Sequence, residues 1–383
     1  MIITTNTIQD RLIELLNSTQ SFGIALNGKW GVGKTFFWNQ LIEEKFSAKK
    51  TAYISLFGVE TIQQIKNDLL LQIYTQNGFV KKIKDKVGSF KLYGMDISLA
   101  LSWFEKKDFE NVIVCFDDFE RISDKLKLKD VLGLISELKE QKKCTVVLIL
   151  NKKELKDEDL SKYKDKIVDY DFNYEPTVVE SFSLIKDNLK SFKQYPLEYF
   201  QRHEINNIRI MKRVINALND FEFIAPKLKD NQDIEEEIVS SIITLAVVNA
   251  KYNDFDLHNT IEYVREKRFG DKKSNFLENK EIENILFLLG VNNDYFFTND
   301  LLENINYYIK NSIINKENLV EIVNQKLEQK EQRVMARKIS TIYSKYNYDL
   351  KYSNESFVKD MFTLLQEAGE NVVNTINSVE SFM

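Results

Sequence analysis

The sequence predicts an α/β fold: a five-stranded, mostly parallel sheet with helices on both faces, followed by an all-helical lid and an all-helical C-terminal domain. Three observations predict it. Five short apolar runs are separated by segments of helical spacing, as strands joined by helical crossovers require. Glycine is concentrated up to Gly133 and recurs only at Gly270, Gly290 and Gly369, while the prolines fall at Pro176, Pro196 and Pro226. Tight α/β turns need glycine where a helical array does not, so the sheet domain is expected to end near Pro176.

The first run, Ser21 to Asn27, leads into GKWGVGKT and then a helical FFWNQLIEEKF. Thr51 to Phe57 is rich in strand formers and passes through Gly58 to an amphipathic helix over Ile62 to Tyr74. Asn111 to Phe116 is almost continuously apolar, the appearance of a strand covered on both faces, and it ends in Asp117-Asp118. A helix from Leu128 to Gln141, a strand from Cys144 to Leu150 ending at Asn151, and a fifth strand from Ile167 to Phe172 complete the pattern. Between the second and third strands, Val80 to Lys107 reads as lysine-rich solvated surface with a helix over Ile97 to Phe104.

Beyond Pro176 the apolar spacing is helical throughout. Segments are expected at Thr177 to Phe192, Asn206 to Asn219, Ile234 to Val248, Asp256 to Arg265, Glu281 to Leu289, Leu301 to Ile314, Lys316 to Tyr346 and Glu355 to Ala368, the last closed by Gly369. The expected organisation is a core over 1–176, a lid over 177–221, and a helical output or partner-binding domain over 222–383.

Composition narrows the function. With 29% charged and 43% hydrophobic residues, the 383-residue chain is ordinary globular material. Its 53 basic and 58 acidic residues nearly cancel, which argues against whole-chain electrostatic binding of nucleic acid. Nucleic acid is thus a weakly supported partner, and the small basic face of Arg333, Arg337 and Lys338 carries no known motif. Cys115 and Cys144 sit in apolar runs and read as free core thiols of a reducing compartment, while His203 and His258 are too isolated for a zinc cluster. No signal sequence and no apolar stretch of spanning length are present, so a cytoplasmic protein without membrane contact is predicted.

The segment Gly28, Lys29, Trp30, Gly31, Val32, Gly33, Lys34, Thr35 fits G-x-x-x-x-G-K-[ST] in the strand, loop and helix context the motif requires. Glycines let the backbone wrap phosphates so that its N–H groups point inward, and the following helix, through Phe36, adds its N-terminal dipole. Lys34 is expected to reach the β- and γ-phosphates and Thr35 to ligate Mg²⁺. Asp117, at the end of a buried strand, is placed to hold the metal with Thr35, and Asp118 to polarise an attacking water. Asn151 either orients that water or caps the helix that follows. Asp169 and Asp171 read as exposed strand-end residues. A guanine-specific N/T-K-x-D sequence is missing, so ATP with Mg²⁺ is the expected ligand pair.

GKWGVGKTFF, YISLFG from Tyr53 to Gly58, FDDFER from Phe116 to Arg121 and NNIRIMKRVIN from Asn206 to Asn216 together resemble the KAP family of P-loop NTPases, over about residues 8 to 220. That family lies near the STAND and AAA+ groups, in the additional-strand class. The resemblance implies that Gly28, Gly33, Lys34 and Thr35 form the phosphate loop and Asp117 and Asp118 the Walker B end. It further implies that Arg121 braces the site or acts across a subunit boundary. Arg209 would be a sensor of the γ-phosphate, although Ile208 stands where the family often has proline. The helix around Arg209 is amphipathic, with Ile208, Met211, Ile215 and Leu218 on one side; a solvent-facing basic edge accounts for Arg209 equally. The resemblance also implies a homo-oligomer and antiphage defence as the setting. The leading expectation is a regulatory ATPase that couples nucleotide state to its helical domain. Its alternatives are a nucleotide-gated protein-binding module with little hydrolysis, and a remodelling ATPase acting on protein or nucleic acid.

Overall fold

The computed structural model describes residues 5–75, 112–154, 166–252, 255–260, 284–285 and 300–368. The stretch Val80 to Lys107, most of the helices expected at Asp256 to Arg265 and Glu281 to Leu289, and Gly369 lie outside them. By its contacts the chain divides into two units, one of residues 1–187 with 200–211, the other of 188–199 with 212–383. Segment 177–221, expected as a lid, is shared between the two.

The first unit is the α/β part. Strands β1 (Gly23–Asn27), β2 (Thr51–Ser55), β3 (Ile113–Asp117), β4 (Thr145–Leu150) and β5 (Tyr170–Asn173) form one sheet in the order β2-β3-β4-β1-β5. Every pairing is parallel. The strand that follows β3 in sequence is thus inserted between β3 and β1, the additional-strand arrangement that the resemblance implied.

Both faces of the sheet are covered, which explains the unbroken apolar runs of β3 and β4. Val114, Phe116, Val146, Leu148 and Leu150 pack with Ile65, Leu69, Val131 and Ile135 from α3 (Ile62–Thr75) and helix Leu128–Glu140. Their neighbours Ile113, Cys115, Val147 and Ile149 face the other way. There they meet Leu12 and Leu16 of α1 (Thr5–Asn17) and Phe37, Trp38 and Leu41 of α2 (Lys34–Lys45). Cys115 and Cys144 are buried and in no disulfide.

Strand β5 begins later than the expected Ile167. Ile167 is still helical, and the first backbone bond to β1 runs from the Asp169 N–H to the Gly23 carbonyl at 2.7 Å. Asp169 then accepts from the Gly23 N–H at 2.7 Å and pairs with Lys139 at 2.8 Å, and Asp171 pairs with Lys152. These two aspartates fasten the edge strand.

The continuous helix expected from Thr177 to Phe192 is a correction. A capping box of Thr177 and Glu180 starts helix Val178–Ser183, Lys186–Asn188 is a 3₁₀ turn, and Phe192 sits at φ 61°. Phe182 and Ile185 are buried in the first unit while Leu189 and Phe192 are buried in the second. Helical spacing of these four residues therefore recorded burial on both sides of the break rather than one straight helix. Glu180 also accepts from the backbone and hydroxyl of Thr5, at 3.0 and 2.6 Å, which ties down the start of α1.

The second unit is helical in its described residues. Helix Gln232–Lys251 is its most buried element, with Ile238, Val239, Ile242, Leu245, Val247 and Val248 inaccessible or nearly so. Tyr195 donates to Glu235 at 2.8 Å, Tyr308 of helix Asp300–Asn311 to Asp220, and Lys326 to Glu237 at 2.6 Å. The polar and apolar repeat from Lys316 becomes one helix, Lys316–Tyr348, capped by the Asn315 side chain and paired with helix Asn354–Ala368. Among the described residues no helix is long and apolar enough to cross a membrane.

Leu12, fully inaccessible, tests whether α1 belongs to the sheet's core. Leu12→Ala is expected to cost about 2–5 kcal/mol in urea unfolding, while Glu43→Ala on the exposed side of α2 stays within about 0.5 kcal/mol.

Candidate phosphate-binding site

Strand β1 ends at Asn27, and the chain then turns through Gly28 to Gly33 before α2 begins at Lys34. The loop needs its glycines. Gly31 and Gly33 lie at φ 79° and 98°, in the left-handed region, and a Cβ on Gly33 would stand 2.4 Å from the Ile208 side chain. A Cβ on Gly28 would stand 2.5 Å from the Tyr174 carbonyl oxygen.

The N-terminus of α2 has no side-chain cap. Among the described residues, the backbone N–H groups of Gly31, Val32, Gly33, Lys34 and Thr35 find no acceptor in the protein. Consecutive uncapped donors at a helix start form a concave, positive nest suited to an anion. The fit to a phosphate chain is therefore in the backbone itself.

Lys34 is 8% exposed, and its ammonium donates to the carbonyls of Gly28 and Lys29 at 2.6 and 3.0 Å. Burial pulls its pKa below the ordinary lysine value, the charges of Glu120 and Asp117 push it back up, and Arg209 pulls it down again. Val32 is buried in the core beneath the loop, whereas Trp30 and Phe36 are exposed.

Asp117 closes β3 and is 4% exposed. One carboxylate oxygen accepts from Thr35 Oγ1 at 2.6 Å and Tyr53 Oη at 2.8 Å; the other accepts from the Asp118 N–H at 2.7 Å. Burial raises its pKa, and these three bonds work against the rise. Burial also lifts the Tyr53 hydroxyl far above its ordinary value, so it remains a donor. The donor set of Thr35 hydroxyl and Asp117 carboxylate is hard oxygen, as Mg²⁺ prefers.

Asp118 takes a left-handed conformation, φ 60°, which turns the chain out of β3 into the 3₁₀ turn Phe119–Arg121. Its carboxylate accepts from Ser55 Oγ at 2.8 Å. Arg121 lies over the rings of Trp30 and Phe57, at 5.4 and 5.7 Å, rather than pairing with a neighbouring acid. Asn151 is buried at the end of β4, where its side chain accepts from the Lys153 N–H at 3.3 Å and so makes a local turn cap. Arg209 is exposed in the first turn of helix Ile208–Asp220. That turn is capped by Asn207, whose side chain accepts from Arg209 N at 2.9 Å, and it is tied to the loop by Ile208 N donating to Gly31 O at 2.7 Å.

The structure thus gathers Gly28 to Phe36, Asp117, Asp118, Arg121, Asn151 and Arg209 around one loop. Tyr53, Ser55, Glu120 and Asn207 join them without having been singled out. The signal for the first two was their alternation with buried Ala52 and Ile54, which sends both toward one side of β2.

Residues 5–87 match the model of the KAP family P-loop domain. No curated protein matches the chain. Similar solved structures include Cdc6p from Pyrobaculum aerophilum, 14% identical over 85% of this chain and 94% of that one, with a TM-score of 0.39. Others are the Aeropyrum pernix Orc1 protein in complex with DNA (13% identity, 76% and 84% covered, TM-score 0.37) and Drosophila ORC bound to DNA (15%, 82% and 88%, 0.34). At such scores the likeness says nothing about what this chain binds.

Since the Asp117 pKa is raised, its ionised form is the disfavoured one in the fold, and stability is lost as pH rises from the ordinary aspartate value through the raised one. In chelator, the urea midpoint of the wild type is expected to fall relative to that of Asp117→Asn as pH rises above the ordinary aspartate value of about 4. A difference that stays flat as pH rises contradicts the burial account.

Proposed function

With residues 5–87 matching a P-loop domain of the KAP family, we propose that this chain is a regulatory ATPase that binds ATP with Mg²⁺ and hydrolyses it slowly. The observation that carries the reading is the row of unpaired N–H groups from Gly31 to Thr35, set beside the Lys34 ammonium at the start of a helix. Gly28, Lys29, Trp30, Gly31, Val32, Gly33 and Phe36 shape the cradle, and Lys34 neutralises the β- and γ-phosphates. Thr35 and Asp117 hold the Mg²⁺, which when bound screens phosphate charge and fixes the phosphate geometry. Tyr53 orients Asp117 for that task.

Asp118 is the residue of choice for accepting a proton from the attacking water, and Ser55 fixes its carboxylate. Arg209 compensates charge on the γ-phosphate, a role supported by its effect on the neighbouring Lys34. Ile208, bonded to Gly31, starts a helix that continues without interruption to Asp220, so a shift of the loop has a covalent route into residues 212–220. In this proposal 177–221 acts as the lid and 222–383 as the output domain, which engages a protein partner or a second copy. Arg121, half-buried beside the exposed rings of Trp30 and Phe57, is assigned to such an assembly in this proposal.

A second reading, a nucleotide-gated binding module with little turnover, takes Asn151 as a turn cap alone. Its side-chain oxygen accepts from the Lys153 N–H at 3.3 Å, as a turn cap does, while its amide N–H groups can still reach a water.

The test is ATP binding and turnover with parallel mass determination for wild type, Lys34→Ala and Asp118→Asn. Lys34→Ala is expected to abolish binding, and Asp118→Asn to keep binding while turnover falls about 100-fold. Tight binding by a wild type that turns nothing over selects the second reading, and no binding by the wild type sinks both.

A further inference from the structure

Glu120 has no part in the scheme above, yet both of its carboxylate oxygens are engaged at the site. Oε1 accepts from the indole N–H of Trp30, inside the phosphate loop. Oε2 accepts from the backbone N–H of Asn151 at 3.4 Å, at the end of β4. The carboxylate therefore bridges the loop after β1 to the strand end beside it. The Trp30 indole has only this one N–H to give, and its ring, 42% exposed, carries Arg121 on its face. Arg121 is therefore occupied with the rings of Trp30 and Phe57, and Glu120 acts on Lys34.

The charge of Glu120 favours protonated Lys34 more strongly than that of Asp117 does. In the nucleotide reading Lys34 meets the β- and γ-phosphates, so the terminal phosphate brings its charge to the loop whose Trp30 the Glu120 carboxylate holds. Two negative charges drawn to the region of one ammonium repel each other, and because the Trp30–Glu120 bond is exposed the repulsion weakens as salt is added.

We propose that Glu120 is a selectivity residue for the terminal phosphate: a triphosphate enters fully only as the Trp30–Glu120 bond opens, while a diphosphate leaves it closed. This rests on the nucleotide reading above and adds to it a residue that distinguishes ATP from ADP. The bond ties the loop to the turn after β3, so its opening frees the loop that also holds Ile208 through Gly31. Binding of the triphosphate and release of the loop become one event, with the differential contact that a nucleotide switch requires.

Glu120→Gln keeps the shape and a carbonyl oxygen for Trp30 while removing the charge, so it separates electrostatics from architecture. The dissociation constants of Mg²⁺-ATP and Mg²⁺-ADP are measured by calorimetry for wild type and Glu120→Gln, and Trp30 emission is followed in the wild type with Trp30→Phe as blank. ATP is expected to bind the variant about 10-fold more tightly while ADP changes by less than about twofold. In the wild type, ATP and not ADP is expected to shift the emission that the Trp30→Phe blank lacks. Equal changes for ATP and ADP in the variant, or an emission shift as large with ADP as with ATP, overturn the proposal and leave the nucleotide reading standing. A wild type that binds neither nucleotide overturns that reading and this one together.

Discussion

Thr35 and Asp117 meet through a 2.6 Å hydrogen bond although 82 residues separate them in sequence. The strands that deliver them are not neighbours either, because β4 lies between β1 and β3. Two inter-strand spacings of about 4.8 Å must be crossed, and the loop after β1 does so by turning over the end of β4 before α2 begins. Parallel register makes the crossing possible. Asn27 is level with Leu150, and Phe116 with Leu148, so the chain ends that carry the polar groups emerge on one edge of the sheet. Everything else at the site, from the hydroxyl of Tyr53 to the turn at Asp118, is arranged around that junction.

The junction carries an energetic cost in the protein alone. Lys34 and Asp117 are both nearly inaccessible, and burial shifts each toward its neutral form. Among the described residues neither is in a direct ion pair; Lys34 is satisfied by backbone carbonyls and Asp117 by hydroxyls and an N–H. Apolar residues in these places would serve folding better. Local choices that oppose stability without a packing gain concentrate where a ligand completes them, and here they coincide with the unpaired N–H groups of the loop.

The sheet was legible because both of its faces are covered. Unbroken apolar runs such as Ile113 to Phe116 and Thr145 to Leu150 have no competing solvent face, and the loop motif fixed where β1 ends. The start of β5 was not legible, since Ile167 is as buried at a helix end as it would be in a strand, and apolarity alone does not tell the two apart. The break between Thr177 and Phe192 was hidden for a related reason: periodicity records that residues are buried and not which core buries them. At the site, the motif residues announced themselves, while Tyr53, Ser55, Glu120 and Asn207 did not. Their types are common at strand ends and turns, and only the fold shows that their hydrogen bonds converge on the loop. The helix Thr5–Asn17, with Ile8, Leu12, Leu15 and Leu16 buried at helical spacing, was readable in the pattern but carried no chemistry to draw the eye.

The central claim is that the backbone from Gly28 to Thr35 is a phosphate cradle, and amide hydrogen exchange measures that backbone directly. With saturating ATP and Mg²⁺, exchange is predicted to slow at Gly31, Val32, Gly33, Lys34 and Thr35, whose N–H groups have no acceptor among the described residues, while the buried strands β3 and β4 exchange as before. Exchange across Gly28 to Thr35 that ATP leaves unchanged would contradict the account.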